Sequence, residues 1–243
     1  MGAGSERRIK ILELMVGGKN MAVGTKRLCE VCAEVTFMTG AGIMLMSADK
    51  PYGSLCTTNG MSDLIEQLQY TLGEGPCVDA FHKDWPVLEP DLCNPDTPRW
   101  QAFSPSAIQG GVRAIFGFPL QIGAVRLGAL NLCRDSAGPL SDDQYTDALI
   151  MANIAAATVL VTQADAPPGK LAAELEEAAD FHYAVHQAAG MVAVQLEVSV
   201  GQALVRLRAH AFGHDRPLTE IANDVVARRL RFDIASGEKD TAW

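Results

Sequence analysis

The sequence predicts an α+β domain over residues 1–163, with an antiparallel sheet and flanking helices. An all-α domain of three helices follows over 170–235, joined by a linker at 164–169. Three observations carry this. Hydrophobic spacing switches between helical and strand periods up to Ser141 and is helical alone afterwards. Ala164-Asp-Ala-Pro-Pro-Gly169 is a Pro- and Gly-rich break inside that second stretch. The length of 243 residues, with 48% apolar and 20% charged side chains, is enough for two small folded domains and excludes wholesale disorder.

The elements follow in order. Residues 6–37 are helical, with Ile9, Leu12 and Met15 on one face and Leu28, Val31 and Val35 after a break at Gly17-Gly18. Ala41–Met46 and Tyr52–Thr58 read as strands around the turn-forming Asp49-Lys-Pro51. Met61–Leu72 is a helix whose stripe is Leu64, Ile65, Leu68 and Leu72. A Gly-rich loop to Cys77, a short helix to His82 and a short strand at Trp85–Leu88 come next. Arg113–Leu120 and Leu127–Cys133 form a central hairpin. Beyond Ser141 the chain is helical. The second domain's helices cover 170–196, the stretch after the capping box Ser199-Val-Gly-Gln202, and the stretch after Pro217. The last of these carries Arg228, Arg229 and Arg231 opposite its apolar face.

Charge and cysteines narrow the function. The net charge of −9 argues against a protein that simply coats nucleic acid. Its distribution is uneven: residues 201–231 hold six basic against three acidic side chains, while 1–163 hold 12 against 17. The N-terminal stretch has no apolar core of a signal peptide, and the apolar run Ala148–Val161 falls short of the ~20 residues a membrane span needs. A cytoplasmic location is therefore expected, with no membrane partner. The six cysteines are accordingly expected as thiols, with Cys77 as the redox-sensitive one if exposed. Cys29-x-x-Cys32 has no second pair, so a metal is not expected. No nucleophile–base pair, paired carboxylates or phosphate loop is evident, and an enzyme is not expected.

Two resemblances follow from the motifs. Val185-His-Gln-Ala-Ala-Gly-Met191, Ala203-Leu-Val-Arg-Leu-Arg208 with Ala211, and Pro217-Leu-Thr-Glu-Ile-Ala-Asn-Asp-Val225 together resemble the ANTAR domain, a three-helix RNA-binding module of bacterial antitermination regulators. That resemblance implies a homodimer that binds paired hairpins of nascent mRNA leaders. The contact residues it points to are His182, His186, Arg206, Arg208, His214, Arg216, Arg228 and Arg229. Ala189 stands where the family has Lys, and His182 where an Arg usually begins the stretch. By composition alone the arginines could equally be a solvated helix face. A helical protein–protein module with a decayed RNA surface is the alternative.

Leu72-Gly-Glu-Gly-Pro-Cys77, Trp85-Pro-Val-Leu88 and the hairpin Gly117–Leu120 with Leu127–Leu132 resemble a GAF domain, a signal-sensing module. The resemblance implies a small-molecule pocket on one face of the sheet, lined by Met44, Leu45, Tyr70, Cys77, Trp100, Phe116, Phe118 and Cys133, with the ligand or cofactor itself unknown. Strand-facing apolar groups are also core by default, which is the competing reading of these residues.

Overall fold

The two expected hairpins supply four strands of a single five-stranded sheet. The computed structural model describes residues 3–16, 25–47, 50–164, 183–214 and 216–233. The strands are β1 (Gly40–Ser47), β2 (Lys50–Thr57), β3 (Val87–Glu89), β4 (Ala114–Ile122) and β5 (Val125–Arg134). Their order is β2-β1-β5-β4-β3, with every pair antiparallel. The β4–β5 hairpin closes on Gly123 and Ala124 between the paired Ile122 and Val125. Gly123 has φ of 58°, the left-handed conformation that a two-residue hairpin turn requires.

Alternation along the strands sends side chains to two layers. Ala41, Ile43 and Leu45 of β1, Phe116, Phe118 and Leu120 of β4, and Leu130 and Leu132 of β5 pack under α1 (Ala3–Val16), α2 (Thr25–Thr36) and α6 (Asp142–Ala164). Ile115, Ala129 and Cys133 face α3 (Gly60–Leu72), α4 (Pro76–Lys83) and α5 (Phe103–Gln109). Each fully buried Leu or Phe in such a layer contributes about 1.5–3 kcal/mol.

Helix α6 has 23 residues and is long and apolar enough to match a membrane span in length and composition. Its apolarity has a local use, since Ala148, Met151, Ala152, Ile154, Ala155, Ala156 and Val159 are buried in the layer against the sheet. The Arg7 guanidinium ties α1 to this helix, reaching Asp147 at 2.6 Å and Asp143 at 2.8 Å.

The cysteine expectation is corrected at one pair. Cys29 of α2 and Cys56 of β2 form a disulfide with a Cα separation of 6.2 Å, within the usual range for such bonds. They are 27 residues apart in sequence and become neighbours only when the buried stripe of α2 lies over the sheet. Cys32, Cys77, Cys93 and Cys133 are free thiols.

The chain forms two compact units, Met1–Ala178 and Ala179–Trp243. In the second, α7 (Tyr183–Leu196), α8 (Val200–Gly213) and α9 (Leu218–Val226) pack on one another. The shared core includes Val185, Ala188, Ala189 and Val192 with Leu204, Leu207, Ile221 and Val225. Ser199 caps α8: its hydroxyl accepts from the Gln202 amide at 3.2 Å, and Gln202 Oε1 accepts from the Ser199 amide at 3.0 Å. The expected start of the first helix at 170, the linker beyond Ala164 and the turn at Ala48-Asp49 lie outside the described residues. Arg228, Arg229 and Arg231 do not ride on the face of the last helix. That helix ends at Val226, and Arg228 turns the chain with φ of 60°.

Candidate functional site

Helix α3 decides what faces the sheet. Asn59 caps it, its side-chain oxygen accepting from the Ser62 amide at 3.1 Å while Ser62 Oγ accepts from the Asn59 amide at 3.0 Å. Gly73 closes the other end in the left-handed conformation. So held, the helix buries Ser62, Ile65, Glu66, Gln69 and Tyr70. The expected stripe is thus rotated: Leu64, Leu68 and Leu72 are only half-buried. Leu68 and Leu72 pack on the cluster that includes Phe103 and Ala107 of α5.

Two polar side chains therefore point at the sheet, and glycines make room for them. A Cβ at Gly42 would stand 2.7 Å from Glu66 Oε1, and one at Gly75 would stand 2.6 Å from Gln69 Oε1. Gly117 lets Pro76, at the start of α4, approach the sheet, since a Cβ there would be 2.5 Å from the Pro76 carbonyl oxygen. Asn131 of β5 is paired with Gly42 on one side and Gly117 on the other, and is fully buried. Gln69 Oε1 accepts from the Cys77 amide at 2.7 Å, which ties α3 to the first turn of α4.

Burial dominates the electrostatics. It pushes the Glu66 carboxyl up to about 8; the Asn131 amide, approaching without a well-formed hydrogen bond, favours the ionised form, and Asp63 opposes it. At neutral pH Glu66 is mainly the neutral acid, a hydrogen-bond donor rather than a charge. Burial also raises Cys77 well above an ordinary thiol, aided by Glu66. It brings Cys133, whose Sγ lies 3.4 Å from the Gly40 carbonyl, to about 12.

The expected pocket residues do not share one face. Met44 (paired with Ala129), Tyr70, Cys77, Trp100 and Cys133 lie on the α3–α5 side. Phe116, Phe118 and Leu45 point to the opposite layer, where Phe118 meets Tyr145 of α6 with ring centroids 5.7 Å apart. They are core because an odd offset along β4 and β1 turns them to the face opposite Ile115 and Met44. Cys77 is fully buried and its thiol stays protonated, so the exposure that redox sensitivity required is absent. Sequence reasoning missed Glu66, Gln69 and Asn131. The signal available was a polar pair at i and i+3 beside Ile65 and Tyr70, together with glycines at alternating positions 40 and 42. Among the described residues, no group of three or more His, Cys, Asp or Glu side chains could hold a metal ion.

The second unit carries a groove of about 710 Å³. Gln187, Gly190, Met191, Val194 and Gln195 of α7 line one side, and Arg228, Arg229, Leu230 and Arg231 the other. Arg228 and Arg229 thus come together with Arg231, while Arg206, Arg208, His186 and His214 do not line this groove. His182 lies outside the described residues. Asp224 holds Arg216 at 2.7 Å and Arg229 at 2.8 Å, and these two cations draw its carboxyl below the ordinary value. His214 stacks on His210 with centroids 4.0 Å apart. Ala189 is buried in the helical core, so the Lys expected there on resemblance would not project freely toward a ligand from this position.

No protein-family model and no curated protein matches the chain. Among solved structures, the GAF domain of a phosphoenolpyruvate-protein phosphotransferase from Coxiella burnetii is similar over 66% of this chain and 95% of that domain, with a TM-score of 0.50 and 14% identity. The GAF domain of an Acinetobacter phosphoenolpyruvate-protein phosphotransferase is similar over 69% and 99%, with a TM-score of 0.48 and 10% identity. With its antiparallel sheet between two helical layers, the first unit has the fold of a GAF domain.

Proposed function

We propose that this chain is a signal-responsive bacterial regulator in which the GAF-fold unit senses a small molecule and the helical unit binds hairpins of nascent mRNA leaders, promoting antitermination. The observation that carries the reading is the groove edged by Arg228, Arg229 and Arg231, inside the segment that resembles an ANTAR domain. Guanidinium groups offer phosphate a fork of donors, and their attraction to RNA depends on salt. The ligand side is the α3–α5 face, where Glu66, Gln69 and Asn131 supply polar groups among Cys77, Trp100 and Cys133. The protein acts as a cytoplasmic homodimer, without catalytic turnover.

The direct experiment is a binding assay with a two-hairpin leader RNA and the variants Arg228→Glu and Arg231→Glu. Each is expected to weaken binding at least tenfold without changing the fold. Unchanged affinity in both variants would remove the groove from the account.

A second reading, a protein–protein interaction module, is favoured by the exposed apolar side chains Tyr183, Val194, Val205 and Phe212 and by Asp224, which occupies two of the cations. RNA binding that is undetectable at low salt, beside specific capture of one protein partner, would favour it.

A further inference from the structure

We infer that the Cys29–Cys56 disulfide is a reversible, redox-responsive bond that exchanges with dithiol reductants and controls how firmly α2 and α6 are held on the sheet. The inference stands apart from the RNA reading.

β2 is an edge strand with a neighbour on one side only, and Cys56 on it keeps 8% of its surface exposed, while Cys29 beneath α2 is fully buried. A reductant therefore meets the bond from the Cys56 side. The chain carries four free thiols alongside the bond, and Cys93 among them is exposed. A chain that keeps an exposed thiol suits surroundings where reductant is present, and there a disulfide with one end on a sheet edge exchanges as that edge opens. Cys32, one turn from Cys29 on the buried side of α2, is held protonated by burial and by the nearby Asp147 charge. It does not attack the bond, so exchange is confined to one pair and returns to the same pair.

The chemistry balances with an external dithiol. Its thiolate attacks Cys56 Sγ, the S–S bond breaks, and Cys29 leaves as a thiolate that takes up a proton. The second thiol of the reductant then attacks the mixed disulfide and releases Cys56, which is protonated in turn. Two electrons and two protons have passed to the protein, and the dithiol has become a disulfide. An oxidised dithiol reverses the sequence. Among the described residues this bond is the only side-chain cross-link between a helical layer and the sheet, and α2 packs on β1, β2 and α6.

The test equilibrates the purified full chain in graded reduced and oxidised glutathione and a dithiol catalyst. Alkylation after denaturation and hydrogen exchange on the native protein are then read together. Under oxidising conditions four of the six cysteines are expected to be alkylated, with a linked Cys29–Cys56 peptide. Under reducing conditions all six should react, the melting temperature should fall by roughly 5–10 °C, and exchange should rise in α2 and α6 while α3 stays protected. Cys56→Ser, with all five remaining thiols reactive, should show the reduced exchange pattern at every ratio, and Cys32→Ser should keep the redox response. Four results would overturn the inference: six reactive thiols at every ratio, a bond intact in excess dithiol while the fold persists, reduction that unfolds the whole first unit, or a breaking bond that leaves exchange in α2 and α6 unchanged.

Discussion

The Glu66 carboxyl lies directly over Gly42, so close that a Cβ on Gly42 would stand 2.7 Å from Oε1 and 3.1 Å from Cγ. A buried acid on a helix and a bare position on the facing strand therefore form one unit of packing. Gly42→Ala forces Glu66 or the whole of α3 to move, and overpacking of this kind costs about 1–3 kcal/mol. Chemical denaturation of Gly42→Ala should show that loss, and Gly60→Ala, with open space around the added methyl, should lose markedly less.

The same carboxyl makes stability depend on pH. Its folded value of about 8 lies above its ordinary value of 4.5 because burial disfavours the charge. Between those values the folded chain keeps a proton that the unfolded chain releases. Stability from this group is thus complete below about pH 4.5, declines as pH rises through 8, and is absent above. Thermal melts from pH 5 to 9 should show a falling melting temperature, and Glu66→Gln should flatten that part of the profile.

Phe118 belongs to the core layer and not to the ligand face, since it packs on Tyr145 of α6. Phe118→Ala should cost about 3–5 kcal/mol, as large-to-small changes at buried aromatics do. Trp100→Phe, on the α3–α5 side, is the contrasting variant. It should change ligand binding in a small-molecule screen while leaving Phe118 and its layer intact.

Ala189 supports the helical unit by being small and buried in its core, on the helix that also buries Val185, Ala188 and Val192. Ala189→Lys should therefore lower the stability of the second unit by a few kcal/mol, as burying an unpaired ammonium does. Hydrogen exchange in α7–α9 is the measurement. Protection equal to the native protein would show that the side chain escapes to solvent.

Much of the fold was legible because period and punctuation agree. The hairpin strands are short and densely apolar, Gly123 marks the β4–β5 turn, and Ser199 with Gln202 announces α8. The orientation of α3 was not, because the leucines at 64, 68 and 72 draw the eye to the side facing α5, while the sheet side is made of Glu66, Gln69 and Tyr70. Faces of the sheet were missed for a related reason. Phe116 and Cys133 each look like pocket material in sequence, yet register pairs Phe116 with Leu132 and Ile115 with Cys133, one layer apart. The disulfide was hidden by the sequence separation of 27 between its ends. Arg228, Arg229 and Arg231 were found as a cluster, though the chain turn after Val226, and not a helix face, gathers them at the groove.

The central claim is that the cationic edge of the helical unit binds structured RNA. Titrating a two-hairpin leader RNA against the full chain over 50–300 mM salt, with tRNA as competitor, tests it most directly. The account predicts preference for the paired hairpins over tRNA and a log–log slope of about −2 to −3, from three arginines each displacing about one condensed counterion. Affinity that is indifferent to salt, or no better than for tRNA, would contradict it.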